Sequence, residues 1–191
     1  MRLAQLIAFS PLFAAVTWAN PIVARDIDCS TIASGILAAN ATGVYKAFTL
    51  NSKNQVAYLG DGQNPLRVEF QECQSLEVGL PHDIVKAGRV FVPLRSKCIA
   101  ITNQEAEIGP YYTTLANCGT DYPQRWSLDT GNNNALRWGG KSDEEGTILQ
   151  GGCGLLGYKS HNKGVPTITH SGNQITIECT GTAFRMVNAA S

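Results

Sequence analysis

Residues 116–126 read A-N-C-G-T-D-Y-P-Q-R-W and combine one cysteine, Cys118, with a Gln-x-Trp triplet that ends at Trp126. The chain then continues as a short alternating run, W-S-L-D, a polar T-G-N-N-N segment and a second run, A-L-R-W, at 135–138. Alternating apolar and polar residues are typical of a half-buried strand, and Asn and Gly accept the left-handed backbone that tight turns require. The stretch therefore predicts a β-hairpin whose first strand carries the tryptophan.

Short alternating runs separated by turn residues also make up most of the remaining chain, and apolar residues at helical spacing are scarce. Two more hairpins are predicted, with arms at 45–50 and 55–59 and at 166–170 and 174–177. Single strands are predicted at 66–70, 89–94, 98–102, 111–115, 147–150 and 184–187. About twelve short strands with Gly-rich and Asn-rich turns predict an all-β fold, and their number suits a closed or nearly closed barrel.

Three aromatic residues at strand positions indicate a degenerate internal repeat. Phe70, Trp126 and Phe184 are separated by 56 and 58 residues. Three units of that length would fill most of the chain, which suggests threefold symmetry. The predicted hairpins do not share this spacing, so the repeat is a hypothesis that the sequence supports only in part.

The N-terminal residues resemble a secretion signal. Arg2 precedes an apolar run, and Thr17 and Ala19 suit the small-residue positions of a cleavage site, so residues 1–19 are predicted to be a signal peptide. A second cleavage site follows Ala24. Removal of Arg2 leaves 14 basic and 15 acidic residues, so charge gives no reason to expect nucleic acid as a partner. No later run is apolar and long enough for a membrane span, and we expect a secreted, extracellular protein.

The cysteine content agrees with an oxidising compartment. Six cysteines follow the predicted signal peptide, and this even number predicts up to three disulfides, with fifteen possible pairings. No cysteine or histidine spacing suits a metal site, and we expect no metal and no cofactor. Asn40-Ala41-Thr42 is an N-glycosylation sequon, which predicts a glycoprotein modified at Asn40.

Three segments together resemble a ricin B-type lectin repeat: K-C-I-A-I-T at 97–102, T-L-A-N-C at 114–118 and Q-R-W-S-L at 124–128. The family pattern is Cys-hydrophobic-Asp-hydrophobic, then Leu-aromatic-x-Cys, then Gln-x-Trp. Its fold is a β-trefoil, in which three repeats of four strands form a six-stranded barrel and three hairpins. The resemblance is clear over 90–138, and the whole chain is similar to secreted fungal proteins of unassigned role that carry such a domain.

The resemblance also implies a disulfide framework and a domain layout. It implies that Cys98 pairs with Cys118, and proximity in sequence then favours the pairs Cys29–Cys73 and Cys153–Cys179. We expect an N-terminal segment at 20–34 and a single β-trefoil domain at 35–191. In this family the Gln-x-Trp residues support the internal structure, so Gln124 and Trp126 are expected to be structural.

The usual sugar site of this repeat is expected to be lost. The family's sugar-binding Asp corresponds to Ala100 and its stacking aromatic to Ala116. Nearby side chains could still bind a sugar, because carboxylates and amides accept hydroxyl hydrogen bonds and aromatic rings stack on sugar faces. These candidate ligand-binding residues are Tyr111, Tyr112, Asn117, Asp121 and Tyr122.

The expected function is non-catalytic binding, with glycans or glycoproteins as the partners that the resemblance implies. His82, His161 and His170 lie in no catalytic motif, and Glu69 and Glu72 are spaced to face opposite sides of a strand. The alternative is a β-trefoil protease inhibitor or a secreted protein-interaction module, with an extracellular protease as partner. Residues 75–88 interrupt the strand series and are the candidate inhibitory loop.

Overall fold

The computed structural model describes residues 28–76, 83–143, 145, 148–150, 152–161, 164–168 and 172–191. Within these ranges the protein is all-β, as predicted, and its only helical elements are short 3₁₀ turns at Gln74–Leu76, Pro93–Arg95, Tyr122–Gln124 and Thr130–Asn132. The strands are β1 Cys29–Ala41, β2 Val44–Ala47, β3 Thr49–Leu50, β4 Val56–Ala57, β5 Arg67–Cys73, β6 Val85–Val92, β7 Lys97–Thr102, β8 Tyr111–Ala116, β9 Trp126–Asp129, β10 Ala135–Trp138, β11 Gly157–Tyr158, β12 Ser160–His161, β13 Val165–Pro166, β14 Thr176–Glu178 and β15 Phe184–Val187.

Six of these strands close into an antiparallel barrel in the order β1, β5, β6, β9, β10, β15 and back to β1. The register at Trp126 illustrates the closure, because it lies opposite Gly88 of β6 and Trp138 of β10. The ring closes where Ile36 of β1 lies opposite Val187 of β15. The predicted closed barrel is thus confirmed, and so is the predicted hairpin of β9 and β10.

Shorter strands lie between the barrel strands along the chain. The hairpin of β3 and β4 comes between β1 and β5, and the hairpin of β7 and β8 comes between β6 and β9. A longer insertion separates β10 from β15 and contains β11 to β14, of which β14 pairs with both β8 and β11. The chain therefore alternates between pairs of barrel strands and peripheral hairpins.

Aromatic side chains fill the barrel. Phe184 contacts Phe48, Tyr158 and Trp126 at ring-centroid distances of 5.2, 5.1 and 5.7 Å. Each such pair contributes about 0.5 to 1.5 kcal/mol beyond the area that it buries. Phe70 is also fully buried in this cluster. All three aromatic residues that the sequence spacing singled out therefore lie in the core.

All six cysteines form disulfides, with the pairings Cys29–Cys73, Cys98–Cys118 and Cys153–Cys179 that were expected. The Cα–Cα distances are 4.1, 5.0 and 5.5 Å. Loops of these lengths, once closed, stabilise a domain by about 3 to 4 kcal/mol each through the unfolded state. The first disulfide joins the start of β1 to the end of β5, where the two residues already lie opposite each other.

Two parts of the structure differ from the sequence prediction: the start of β1 and the third predicted hairpin. β1 begins at Cys29, so residues 29–34, assigned from sequence to an N-terminal segment, pair with β5. Of the third predicted hairpin, the described residues show a bridge between Ile168 and Ile175, and residues 169–171 lie outside them. Its second arm overlaps β14, which pairs with β8 and β11. The predicted signal peptide lies outside the described residues. Among those residues, no helix has the length and apolar character needed to cross a membrane.

Candidate functional site

The two tyrosines of β8 differ in accessibility. Tyr111 is only 2% exposed; its hydroxyl donates to the Ala106 carbonyl at 2.9 Å and its ring packs on Trp138 at 5.4 Å. Burial, followed by the negative charge of Glu107, raises the pKa of Tyr111. Tyr112 is half-buried and lies opposite Thr176 of β14. The buried ring of Tyr111 therefore serves the core and offers no open face to a sugar.

Gln124 and Trp126 occupy buried positions and fix the loop after Cys118. The Gln124 side chain accepts the Gly119 amide N–H at 3.0 Å and donates to the Asn117 carbonyl at 2.8 Å. The Trp126 indole donates to the Ile99 carbonyl at 3.1 Å. A buried amide that makes both types of hydrogen bond specifies one loop conformation, because an unpaired group there would be costly.

The two alanines that replace the family's sugar-binding residues lie on β7 and β8. Ala100 is buried opposite Thr114, and Ala116 lies opposite Cys98. An ionised carboxylate at this buried position would lose its hydration, which costs several kcal/mol unless a positive group pairs with it. The buried position of Ala100 is therefore suited to a small apolar side chain.

Two of the sequence candidates, Asp121 and Tyr122, line one surface pocket. Its volume is about 350 Å³, and its lining consists of Ser75, Leu76, Thr120, Asp121, Tyr122 and Arg125. The Tyr122 side chain is 39% exposed. The pocket therefore combines an accessible aromatic ring, a carboxylate and two hydroxyl groups within a small space.

Arg125 holds the Tyr122 ring in place. Its guanidinium carbon lies 4.9 Å from the centre of that ring, a cation–π distance. The guanidinium also donates to the carbonyls of Gly139 and Gly140 at 2.8 and 2.9 Å and to the Ser142 hydroxyl at 3.4 Å. Burial lowers the pKa of the Arg125 guanidinium. Because Arg125 is only 6% exposed, its donors serve the fold more than they serve the pocket.

Asp121 and Asn117 differ in their surroundings. Asp121 is exposed and extended, and its carbonyl accepts the Gln124 amide N–H at 3.0 Å, which closes the Tyr122–Gln124 turn. Asp121 is also one of the residues that line the pocket. Asn117 lies outside the pocket lining, and its side-chain oxygen accepts from the Lys97 ammonium group at 3.3 Å.

Four residues of the pocket were not among the candidate ligand-binding residues: Ser75, Leu76, Thr120 and Arg125. The Ser75 hydroxyl bonds to the Asp28 carboxylate, which also accepts the Ser75 amide N–H at 3.0 Å. This contact joins residues 47 positions apart, so no local pattern could reveal it. Arg125 is the variable residue of Gln-x-Trp, and only its neighbours in space give it a role.

The other sequence candidates are placed as follows. Within the loop candidate at 75–88, residues 77–82 lie outside the described residues, and Val85 to Gly88 form part of β6 and pair with β9. His82 and His170 also lie outside the described residues, and His161 is an exposed residue of β12 whose ring contacts the Thr167 hydroxyl at 3.2 Å. The described residues contain no group of three acidic, His or Cys side chains that could hold a metal ion.

Comparisons with protein-family models, with curated proteins and with solved structures gave no match.

Proposed function

We propose that this chain is a secreted, non-catalytic, carbohydrate-binding protein with a β-trefoil fold of the ricin B lectin-like type. The order of the strands supports the fold assignment. A β-trefoil has a six-stranded barrel with one hairpin between the barrel strands of each repeat, and here β3–β4, β7–β8 and the β11–β14 insertion occupy those places. Three disulfides agree with an extracellular location.

The observation that carries the carbohydrate proposal is the exposed Tyr122 ring, fixed by Arg125 and flanked by Asp121. The apolar face of a sugar ring packs on an aromatic face, while a carboxylate accepts hydrogen bonds from adjacent hydroxyls. A volume of about 350 Å³ is near the lower end for ligand sites. The pocket is therefore suited to a single monosaccharide unit.

The proposed site differs from the usual site of the family. With alanine at positions 100 and 116, the usual site of the middle repeat lacks its carboxylate and its aromatic ring. Asp121 and Tyr122 supply the same two chemical groups from the loop between β8 and β9. We propose that sugar recognition in this repeat has moved to that loop.

The proposal is tested by a glycan-array screen of the oxidised protein, residues 20–191, followed by titration of each glycan that binds. The double variant Asp121→Ala, Tyr122→Ala is expected to lose binding. Asn117→Ala is the matched control, since Asn117 precedes the same loop but lies outside the pocket, and it is expected to bind like the unmodified protein. An empty array would refute the lectin proposal, and binding that survives the double variant would refute the site.

One observation favours the alternative function, a protease inhibitor or interaction module. The turn Pro93–Arg95 is exposed, Leu94 is 86% exposed, and Arg95 is followed by an exposed Ser96. A basic residue on an exposed turn suits a trypsin-like protease. However, the Ser96 amide N–H donates to the Pro93 carbonyl at 3.2 Å, which keeps the turn folded. Inhibition of trypsin that is lost in Arg95→Ala would favour this alternative, and rapid cleavage after Arg95 would exclude it.

A further inference from the structure

The first part of β1 has a strand neighbour on only one side. β5 pairs with it from Cys29 to Ile36, but β15 pairs only with Ile36 to Ala38. Within the described part of the chain, no strand pairs with the β15 side of residues 30–34. Unpaired N–H and C=O groups along an edge form a template for an added strand.

This edge leads into a surface pocket with a volume of about 670 Å³. Ser34 and Gly35 of β1 line the pocket together with Asn188, which follows the last residue of β15. The pocket thus begins where β15 stops covering β1. Gly35 marks that end point, because a Cβ placed there would lie 2.9 Å from the Val187 carbonyl oxygen.

The charges of this pocket are not balanced. Arg67 and Arg95 both line it, both are exposed, and neither forms an ion pair or side-chain hydrogen bond with the described residues. Its one carboxylate, Glu69, accepts a hydrogen bond from the Thr31 hydroxyl at 3.0 Å. Apolar groups, chief among them the 86% exposed Leu94, complete the surface. The charge and the apolar rim favour a ligand that carries carboxylates next to apolar side chains.

We propose that residues 30–34 and this pocket form one docking site for an extended acidic segment of a partner protein. The segment adds to the open side of β1 as a strand, so that main-chain hydrogen bonds hold it. Its carboxylates lie beside Arg67 and Arg95, and an apolar side chain packs on Leu94. The site shares no residue with the sugar pocket, so a result that refutes one of the two proposals leaves the other unaffected.

The bulge in β1 offers a selective test. The pairing with β5 shifts register between Thr31 and Ala33, so Ile32 has no partner in β5. Ile32 is also 42% exposed. Proline at position 32 removes one N–H and breaks the open edge while disturbing the β1–β5 pairing least. Ile32→Pro therefore probes strand addition, whereas Arg67→Ala with Arg95→Ala probes the charge.

The experiment is fluorescence anisotropy of a labelled hexapeptide with alternating Glu and Val, compared with the same peptide in which Lys replaces Glu. The oxidised protein is expected to bind the Glu peptide in preference. The double arginine variant is expected to weaken binding by about two- to twentyfold, as two partly exposed ion pairs allow. Ile32→Pro is expected to weaken binding of either peptide. Lys159→Ala, which removes a positive charge from a different pocket, is the control and should bind normally.

The charge-reversal variant Arg67→Glu, Arg95→Glu makes the test decisive, because it should switch the preference to the Lys peptide. Circular dichroism and thermal unfolding of each variant establish that it is folded. No binding of the Glu peptide, equal binding of both peptides, or binding indifferent to the arginines would overturn the proposal. The proposal would also be overturned if a sulfated oligosaccharide bound through Arg67 and Arg95 and the peptide did not. It would equally be overturned if a second copy of the chain occupied the edge, which ultracentrifugation would show as a mass that depends on concentration.

Discussion

Replacing Arg125 with Met tests how much one buried side chain next to the proposed sugar pocket contributes to the stability of the barrel. Met keeps the unbranched apolar stem of the side chain but removes the donors to Gly139 and Gly140, which the guanidinium reaches at 2.8 and 2.9 Å. Hydrogen bonds from a charged donor contribute about 1.5 to 3 kcal/mol each, and loss of a desolvated charge offsets part of that. We expect the free energy of unfolding to fall by about 2 to 4 kcal/mol.

The measurement is urea unfolding followed by tryptophan fluorescence, with a parallel thermal melt. For a domain of this size a loss of that order lowers the melting temperature by roughly 5 to 15 °C. Arg125→Lys is the matched control, because it keeps the positive charge near Tyr122 but not the planar fork that reaches two carbonyls. It should fall between the Met variant and the unmodified protein. A change below about 0.5 kcal/mol for Arg125→Met would refute the reasoning, because surface substitutions have effects of that size.

Three further predictions concern the core and the surface. Burial raises the pKa of Tyr158 to about 12, above its unfolded value near 10. The contribution of Tyr158 to stability is therefore fully present below about pH 10 and is lost as the pH rises towards 12, by up to about 2 kcal/mol. Tyr158→Phe should flatten this part of the curve of stability against pH, and an unchanged slope would contradict the burial argument. A Cβ at Gly88 would collide with the Gln71 carbonyl oxygen, whereas one at Gly154 would meet nothing within 4 Å. Gly88→Ala should therefore lower the free energy of unfolding by more than about 2 kcal/mol, and Gly154→Ala by less than about 0.5 kcal/mol. Equal effects would mean that β5 and β6 move apart freely. The sequon residue Asn40 lies at the turn after β1, where its side-chain oxygen accepts the Gly43 amide N–H at 3.0 Å. Protein from a glycosylating host should lose mass on treatment with peptide N-glycosidase, and Asn40→Gln protein should not. A mass that matches the bare chain would refute modification at Asn40.

Several parts of the fold could be predicted because their signals are local. The hairpin of β9 and β10 follows from an alternating pattern on both sides of an Asn-rich turn, in which Asn133 and Asn134 adopt the left-handed backbone that was expected. The disulfide between Cys98 and Cys118 was expected from the resemblance, and the other two pairs from proximity. Burial of Phe70, Trp126 and Phe184 follows from their positions in alternating strands.

No strand was predicted at the place of β1, for a physical reason. Its sequence, C-S-T-I-A-S-G-I-L-A-A-N-A, consists mostly of small residues with low strand preference. Those residues are strands here because β5, β15 and β2 pair with them. Small side chains also permit the close approach at Gly35, where a Cβ would lie 2.8 Å from Met186. Tertiary contacts of this kind override local preference and leave no trace in a short window of sequence.

Only two of the six residues that line the pocket, Asp121 and Tyr122, were candidate ligand-binding residues in the sequence. The geometry of the pocket follows from two buried side chains of Gln-x-Trp. Gln124 points back to the backbone of Asn117 and Gly119, whereas Arg125 points across to the backbone that follows β10. Gln124 thus ties the turn that contains Tyr122 to the preceding loop, and Arg125 packs against the Tyr122 ring, which remains 39% exposed. Such a ring loses little freedom when a ligand binds, which favours affinity. Residues that sequence reasoning treats as purely structural therefore also preorganise the proposed site, and a variant that loosens Gln124 or Arg125 should weaken sugar binding even in molecules that remain folded.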